Sequence, residues 1–158
     1  MGHAGYIAGS EIEMKLIVDS CVFIDAFDPQ SPNHLAAVQL LEKLRARDLL
    51  ITMPAHGWFE VQCTFQRLSL KQEFVGPFLA GRMDYPIELI HIDEQFIKKH
   101  SMIDIPYIKA GDHIFVVVAK INDCPLITSD AKMIAISKES GVRVFKPAEF
   151  MNELGENT

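Results

Sequence analysis

The chain has 158 residues, 49% of them hydrophobic and 23% charged, which is typical of one globular domain with an extensive core. Its formal net charge of −6 at pH 7 excludes a protein that holds nucleic acid mainly through a basic surface. No apolar run reaches the roughly 18 to 20 residues of a membrane span and no signal peptide is evident, so we expect a cytoplasmic protein without a membrane partner.

The first predicted boundary lies before Met14. Residues 1–13 are rich in Gly and Ala, and we exclude them from the fold as an N-terminal extension or an expression remnant. Residues 14–154 contain no internal repeat, low-complexity tract or linker, and they are expected to form a single domain. Residues 155–158 are expected to be a C-terminal tail.

Strand and helix patterns alternate in the first half of this domain. Leu16 to Val18 is a predicted strand, and the loop Asp28 to Pro32 is rich in turn residues. Apolar side chains then recur at helical spacing and predict one apolar helix face; they are Leu35, Val38, Leu40, Leu41 and Leu44. A second strand, Leu49 to Met53, is closed by Pro54, and the next helical face consists of Trp58, Val61, Phe65 and Leu68.

The second half continues the alternation. The apolar stretch Phe74 to Leu79 is interrupted by Gly76-Pro77, whereas Ile87 to Ile90 is a candidate strand. Asp93 is a predicted helix N-cap. A strongly apolar helix opens at Gly111-Asp112 and is expected to lie centrally.

The last predicted elements are a strand, a short helix and another strand. They span Leu126 to Thr128, Ala131 to Ser137 and Val142 to Phe145. Five strands that alternate with helices predict an α/β fold with a mostly parallel sheet and right-handed crossovers.

The three cysteines are odd in number and lack CxxC spacing; they are Cys21, Cys63 and Cys124. Each has apolar neighbours in the sequence. We therefore expect reduced core thiols rather than disulfides.

Two predicted strands end in an acidic residue. Asp19 directly follows the first strand, and Asp130 follows the strand that begins at Leu126. An aspartate in this position commonly caps the next helix, and that interpretation is open for both residues. If the two strands are neighbours, however, their carboxylates lie close together and repel each other, which a bound cation would relieve.

Two further acids lie in predicted helices. Glu60 has Thr64 four residues later, rather than the Lys or Arg that usually pairs with a solvated glutamate. Asp112 stands in the first turn of the most apolar helix, where the helix dipole favours an anion. Solvation and capping are the alternatives for these two residues.

The four acids occur, in this order, in segments that resemble those of the PIN domain family. The segments are LIVDSCVFID around Asp19, the stretch Pro54 to Val61 with Glu60, AGDHIFVVVAK with Asp112, and LITSDAKM with Asp130. The resemblance runs from about Lys15 to Glu149. It implies a three-layer α/β/α sandwich with a mostly parallel five-stranded sheet in the order 3-2-1-4-5, which sets the strands of Asp19 and Asp130 side by side at the topological switch point.

An all-acid site indicates a hard divalent cation, because Mg²⁺ and Mn²⁺ prefer carboxylate and water oxygens. The resemblance implies an endoribonuclease in which one or two such ions activate a water against a phosphodiester of RNA. Under this hypothesis Asp19, Asp112 and Asp130 contact the metal directly or through water. Glu60 completes the coordination or orients a water molecule.

Residues beside the acids are expected to support them. Ser20 and Thr128 match the small polar residues of the family and are candidate hydrogen-bond partners of the metal-binding acids. Cys21 departs from the family pattern, since a thiol cannot replace the hydrogen bonds of an amide. Lys109 and Lys132 are candidate phosphate contacts, although a solvated surface lysine is the commoner case.

Three other enzyme classes fit less well. The six histidines include no HExxH or comparable zinc-binding spacing. A phosphatase of the haloacid-dehalogenase kind would use Asp19 as its nucleophile and require a second aspartate where Cys21 stands. No GxGxxG follows the first strand, which argues against a dinucleotide-binding domain.

The alternative from another class is a PIN-like module that binds RNA or protein with little or no cleavage. Small single-domain PIN proteins also resemble VapC-type toxins, which a small antitoxin protein holds inactive. Phe74 to Leu79 could then serve a homodimer or antitoxin contact, although core packing is the more usual role of such a segment.

Overall fold

The computed structural model describes residues 14–70 and 87–156. Five strands and seven helices lie within these ranges. They are β1 (Lys15–Val18), α1 (Ser20–Phe27), α2 (His34–Ala46), β2 (Leu50–Pro54), α3 (Ala55–Leu70), β3 (Ile87–Ile90), α4 (Glu94–His100), α5 (Ala110–Asn122), β4 (Leu126–Ile127), α6 (Ala131–Glu139), β5 (Val144–Phe145) and α7 (Pro147–Glu156). The predicted apolar segment Phe74 to Leu79 lies outside the described residues.

The strands form one parallel sheet in the order β3-β2-β1-β4-β5. This confirms the predicted strand order and the α/β class. In β1, Leu16, Ile17 and Val18 are all 0% exposed. Because consecutive strand residues point to opposite faces, helices must cover both sides of the sheet. Helix α1 packs against α2 and α3, whereas α5 packs against β1, β2, β4 and α6.

Local signals account for some of the helix boundaries. The carboxylate of Asp93 accepts a hydrogen bond from the Phe96 backbone N–H at 2.8 Å, as predicted for the N-cap of α4. Helix α6 runs two residues beyond the predicted Ser137, and Gly141, with φ of +75°, follows its end. Within the described ranges, no helix has both the length and the apolar character needed to cross a bilayer.

Two predictions of burial were wrong. Leu35 is 67% exposed, because the buried face of α2 is set by Ala37, Leu40 and Leu44 and Leu35 lies almost opposite that face around the helix axis. Cys63 is exposed, since it points away from the apolar face of α3. Cys124 is buried and Cys21 is partly buried, and all three thiols are free.

The contact of Gly57 in α3 with Phe115 and Met53 is expected to be sensitive to the addition of a single methyl group. A Cβ at Gly57 of α3 would lie 2.5 Å from Cζ of Phe115 and 3.3 Å from Cγ of Met53. Phe115 is 1% exposed, so its ring cannot move away freely. Gly57→Ala should therefore lower the free energy of unfolding by about 1 to 3 kcal/mol, which urea denaturation would measure.

Gly155→Ala is the matched control for this prediction. Gly155 also lies in a helix, and a Cβ there has no neighbouring atom within 4 Å. This variant should be neutral or slightly stabilising because Ala favours the helix over Gly. Equal stability of the two variants would contradict close packing at Gly57.

Candidate functional site

The junction of β1 and β4 determines the surroundings of Asp19. The strands pair Ile17 with Leu126 and Val18 with Ile127, and the next step of this register sets Asp19 beside Thr128. The Thr128 hydroxyl donates to Oδ2 of Asp19 at 2.7 Å and accepts from the backbone N–H of Asp130 at 3.0 Å. Thr128 is 0% exposed and Asp19 is 3% exposed, so a buried hydroxyl connects the ends of the two acid-bearing strands.

A second hydroxyl connects Asp19 to α3. Oγ of Ser20 lies 3.3 Å from Oδ1 of Asp19 and 3.0 Å from Oε2 of Glu60. Because a serine hydroxyl carries one hydrogen, it can donate to only one of these carboxylates at a time. Glu60 itself is exposed, so the Ser20 contact orients a carboxylate that solvent can reach.

The four predicted acids, Asp19, Glu60, Asp112 and Asp130, are called the acidic cluster below. Asp112 interacts electrostatically with the other three. Burial raises the pKa of Asp112, the charges of Asp130 and Glu60 raise it further, and Lys109 and His56 lower it. Asp112 stands in the first turn of α5, where the helix dipole also favours an anion.

Asp19 is a buried carboxylate held by hydrogen bonds. Burial raises the pKa of Asp19 and the charge of Asp112 raises it further, whereas hydrogen bonds to Cys21, Thr128 and Ser20 lower it. Asp112 therefore couples electrostatically to each of the other three predicted acids.

Asp130 also serves as a helix cap. Its Oδ1 accepts from the Met133 backbone N–H at 2.7 Å at the start of α6. The capping interpretation is thus correct for Asp130, and the cap uses one of its two carboxylate oxygens. The same interpretation does not apply to Asp19, whose side chain makes no cap hydrogen bond to α1.

The donor types and the charge fit a hydrated divalent cation. The predicted ligands are all hard oxygen donors, and after burial the charges of Asp130 and Glu60 raise the pKa of Asp112. Within the described ranges, no three His, Cys, Asp or Glu side chains come close enough to enclose a metal ion as they stand. Mg²⁺ usually keeps several water ligands and needs only one or two carboxylates, so an arrangement with water-mediated contacts suits it.

Cys21 contributes to the support of Asp19. Its Sγ lies 3.6 Å from the Thr128 hydroxyl, and a hydrogen bond between Cys21 and Asp19 lowers the pKa of the carboxyl. Burial, and then the charge of Asp19, raises the pKa of the Cys21 thiol, so the sulfur remains neutral. The departure from the family pattern therefore leaves a weak donor at this position.

Sequence reasoning missed His56, which lies beside the cluster. His56 is one helical turn before Glu60 on α3, and its Nε2 lies 2.9 Å from the Gly111 carbonyl oxygen, next to Asp112. Its ring also packs edge-on against Phe115, with 5.5 Å between ring centroids. The spacing of four residues between His56 and Glu60 was the available signal, since it sets both side chains on one side of the helix.

The two candidate phosphate-binding lysines differ in position. Lys109 is the residue before α5, and its charge lowers the pKa of Asp112. Lys132 is exposed in the first turn of α6. Lys109 is thus the lysine that the structure brings to the acidic cluster.

Comparison with known proteins agrees with this fold. The chain is similar to a PilT N-terminus domain protein from the archaeon Sulfolobus solfataricus P2, with 15% identity, a TM-score of 0.51, and coverage of 89% of this chain and 92% of that one. It is also similar to a chain of FitAB bound to an IR36 DNA fragment, with 22% identity, a TM-score of 0.55, and coverage of 84% and 95%. No curated protein sequence matches the chain significantly. The family model for the PIN domain matches residues 16–139, and the chain therefore belongs to the PIN domain family.

Proposed function

We propose that this PIN domain is a divalent-metal-dependent endoribonuclease of the cytoplasm that hydrolyses phosphodiester bonds in RNA. The observation that carries this proposal is the acidic cluster, in which Asp112 couples to the other acids and Ser20 bridges Asp19 and Glu60. PIN domains are generally nucleases, and the matched segment includes all four acids.

The proposed ligands of Mg²⁺ or Mn²⁺ are Asp19, Glu60, Asp112 and Asp130. Such an ion supplies charge for the phosphate and lowers the pKa of a water that attacks it. Asp19 is held in one orientation by the Thr128 hydroxyl, so its charge is fixed at the base of the cluster. Glu60 is exposed and bound to Ser20, which suits it to orient a water molecule. Lys109 is the candidate phosphate contact nearest to Asp112, and Lys132 is the second.

Cleavage of RNA by the purified protein tests the proposal. Single-stranded and structured RNA are incubated with Mn²⁺, with Mg²⁺ or with EDTA, beside the variants Asp112→Asn and Asp104→Asn. Cleavage is expected with metal and not with EDTA, and it should be lost in Asp112→Asn. Asp104 is an exposed aspartate outside the cluster, so Asp104→Asn should cleave normally. Cleavage that survives EDTA would overturn the metal mechanism.

The alternative function is an RNA- or protein-binding module without cleavage, and Cys21 is the observation that favours it. A live metal site should raise the melting temperature as Mn²⁺ is added, because a ligand that binds only the folded state stabilises it in proportion to RT ln(1 + [L]/Kd). A flat response to Mn²⁺ together with retained RNA binding would support the binding module.

Cys21 itself gives a sharper prediction. Cys21→Ala removes the weak donor beside Asp19 and Thr128 and is expected to slow cleavage by about two- to fivefold, which corresponds to roughly 0.5 to 1 kcal/mol for a weak hydrogen bond. Cys21→Ser keeps a donor and should cleave at least as fast as the unmodified protein. An inactive natural protein with an active Cys21→Ser variant would show that the thiol disables the site.

We also propose that the nuclease is the toxin of a toxin–antitoxin pair. An apolar groove of about 480 Å³ lies between α4 and α5, and its lining includes Phe96, Ile97, Tyr107 and Ile114. Ile97 is 54% exposed and Tyr107 is 86% exposed. An apolar groove with exposed apolar side chains suits the apolar face of a small antitoxin.

Co-expression with the product of an adjoining small reading frame should give a stable complex without cleavage. A stable homodimer in size-exclusion chromatography, with the same groove protected, would assign it to a second copy instead.

A further inference from the structure

The hydrogen bond between His56 and Gly111 joins the two helices that carry Glu60 and Asp112. Nε2 of His56 lies 2.9 Å from the Gly111 carbonyl oxygen. A carbonyl only accepts hydrogen bonds, so Nε2 of His56 carries a hydrogen and donates it to Gly111. The bond therefore fixes the direction of the ring.

Packing alone does not account for an imidazole at this position. The ring lies edge-on against Phe115, a contact that an apolar aromatic ring would make equally well. Nδ1 of His56 is buried and has no hydrogen-bond partner among the described residues, which is unfavourable for a polar atom. The hydrogen bond to Gly111 is the contact that requires an imidazole at this position.

Gly111 is directly followed by Asp112, and His56 is one turn before Glu60. The residue before α5, Lys109, makes no side-chain cap bond to the helix, so the first turn of α5 gains its side-chain support from α3.

We propose that His56 is a positioning residue that sets the separation of the Glu60 and Asp112 carboxylates by holding the Gly111 carbonyl. The inference rests on the proposed metal-dependent nuclease, since that separation matters to a cation held by both carboxylates. A supporting residue of this kind typically changes metal affinity or activity by about 10- to 100-fold.

Two variants separate the hydrogen bond from the ring. His56→Phe keeps an aromatic ring against Phe115 and removes the donor, whereas His56→Gln keeps an N–H donor at a similar reach and removes the ring. His34→Phe is the matched control, because His34 also bonds a backbone carbonyl, that of Asp25, at 3.0 Å in a part of the chain that carries none of the four acids.

The experiment measures the Mn²⁺ concentration that half-saturates thermal stabilisation, and kcat and KM for RNA cleavage. His56→Phe should raise the Mn²⁺ midpoint and lower kcat by about tenfold with KM within about twofold. His56→Gln should recover most of both, and His34→Phe should change neither. An unchanged midpoint and kcat in His56→Phe would overturn the inference.

A metal-free measurement tests the inference even if the protein is not a nuclease. Hydrogen exchange of the amides in the first turn of α5, including that of His113, should be faster in His56→Phe and near normal in His56→Gln. If exchange is unchanged, His56 does not hold this turn and the inference fails. If the wild-type protein neither responds to Mn²⁺ nor cleaves RNA, the proposed function fails. Faster exchange in His56→Phe would then show that His56 only supports the structure, which also overturns its positioning role.

Discussion

Asp19→Asn is expected to abolish metal-dependent cleavage and to make the metal-free protein more stable. The carboxylate is 3% exposed, and its burial raises the pKa of Asp19, which means that its charge destabilises the folded state. Loss of a proposed metal ligand should reduce cleavage by at least about 100-fold, since even supporting residues change activity by about 10- to 100-fold.

The asparagine can keep the hydrogen bonds around this position. Its amide oxygen can accept from the Thr128 hydroxyl, which lies 2.7 Å from Oδ2 of Asp19. Its amide nitrogen can donate to Oγ of Ser20, which then donates to Glu60 at 3.0 Å. The substitution therefore removes the charge while keeping an acceptor for Thr128 and a hydrogen-bond partner for Ser20.

The pH dependence of this stability difference has a definite sign. A carboxyl whose pKa is raised by folding destabilises the folded state above the ordinary pKa of 3.8, and the effect is complete above the folded-state pKa. Without metal, Asp19→Asn should gain stability relative to wild type as pH rises, and the two should converge toward pH 3.8. Urea denaturation in EDTA at several pH values measures this difference.

Asp104→Asn controls for the loss of one negative charge, since Asp104 is exposed and its charge carries little desolvation penalty. It should show neither the gain in stability nor the loss of cleavage. An Asp19→Asn variant that is less stable than wild type near pH 7 in EDTA would contradict a destabilising buried charge.

The strands were the best predicted part of the fold. Leu16, Ile17 and Val18 form a continuous apolar run, which is the pattern of a strand covered on both faces, and all three are fully buried. The order of the strands came from the family resemblance, because alternation of strands and helices is compatible with several orders. Helix faces were less predictable: Leu35 satisfies the apolar spacing but lies opposite the face that Ala37, Leu40 and Leu44 bury.

In the candidate site, the acids could be named from sequence but their contacts could not. Repulsion between neighbouring strand ends was expected to involve Asp19 and Asp130. The register instead sets Thr128 beside Asp19, and the acid that influences the pKa of Asp19 is Asp112. This depends on how α5 packs over β1 and β2, a long-range arrangement that local patterns do not encode.

The bond from His56 to Gly111 spans 55 residues of sequence. No local propensity requires it, and a lone histidine on a helix has many possible roles. Only the packing of α3 against the start of α5 makes the contact visible. Similar reasoning applies to Cys21, whose thiol supports Asp19 only because Thr128 is brought beside both.

Thr128→Val is expected to reduce both stability and cleavage, in contrast to Asp19→Asn. Valine has nearly the shape of threonine but removes the hydroxyl that donates to Asp19 at 2.7 Å and accepts from the Asp130 backbone N–H at 3.0 Å. A buried carboxylate and a backbone donor each lose a partner, so the free energy of unfolding should fall by about 2 to 4 kcal/mol. Cleavage and Mn²⁺ affinity should fall by about 10- to 100-fold because Asp19 is no longer held in one orientation.

Thr52→Val is the matched control for Thr128→Val. Thr52 lies in β2, which β1 separates from β4 in the sheet, and is 2% exposed. Its hydroxyl has no hydrogen-bond partner among the described residues. Removing that hydroxyl should be neutral or stabilising, because it eliminates an unpaired buried group. Equal losses of stability in the two variants would mean that the size of valine, not the Thr128 hydroxyl, is responsible.

The combination of Thr128→Val with Asp19→Asn separates support of the charge from support of the fold. If the hydroxyl chiefly stabilises a buried charge, Thr128→Val should be less destabilising in the Asp19→Asn background, with a coupling of about 1 to 3 kcal/mol. The loss at the Asp130 backbone N–H remains in both backgrounds and does not enter the coupling. Additive effects would show that the Thr128 hydroxyl stabilises the end of β4 and does not stabilise the charge of Asp19. A smaller effect of Thr128→Val in the Asp19→Asn background would show that the Thr128 hydroxyl stabilises the charge of Asp19. This result is expected if the charge is kept in the core to bind a cation.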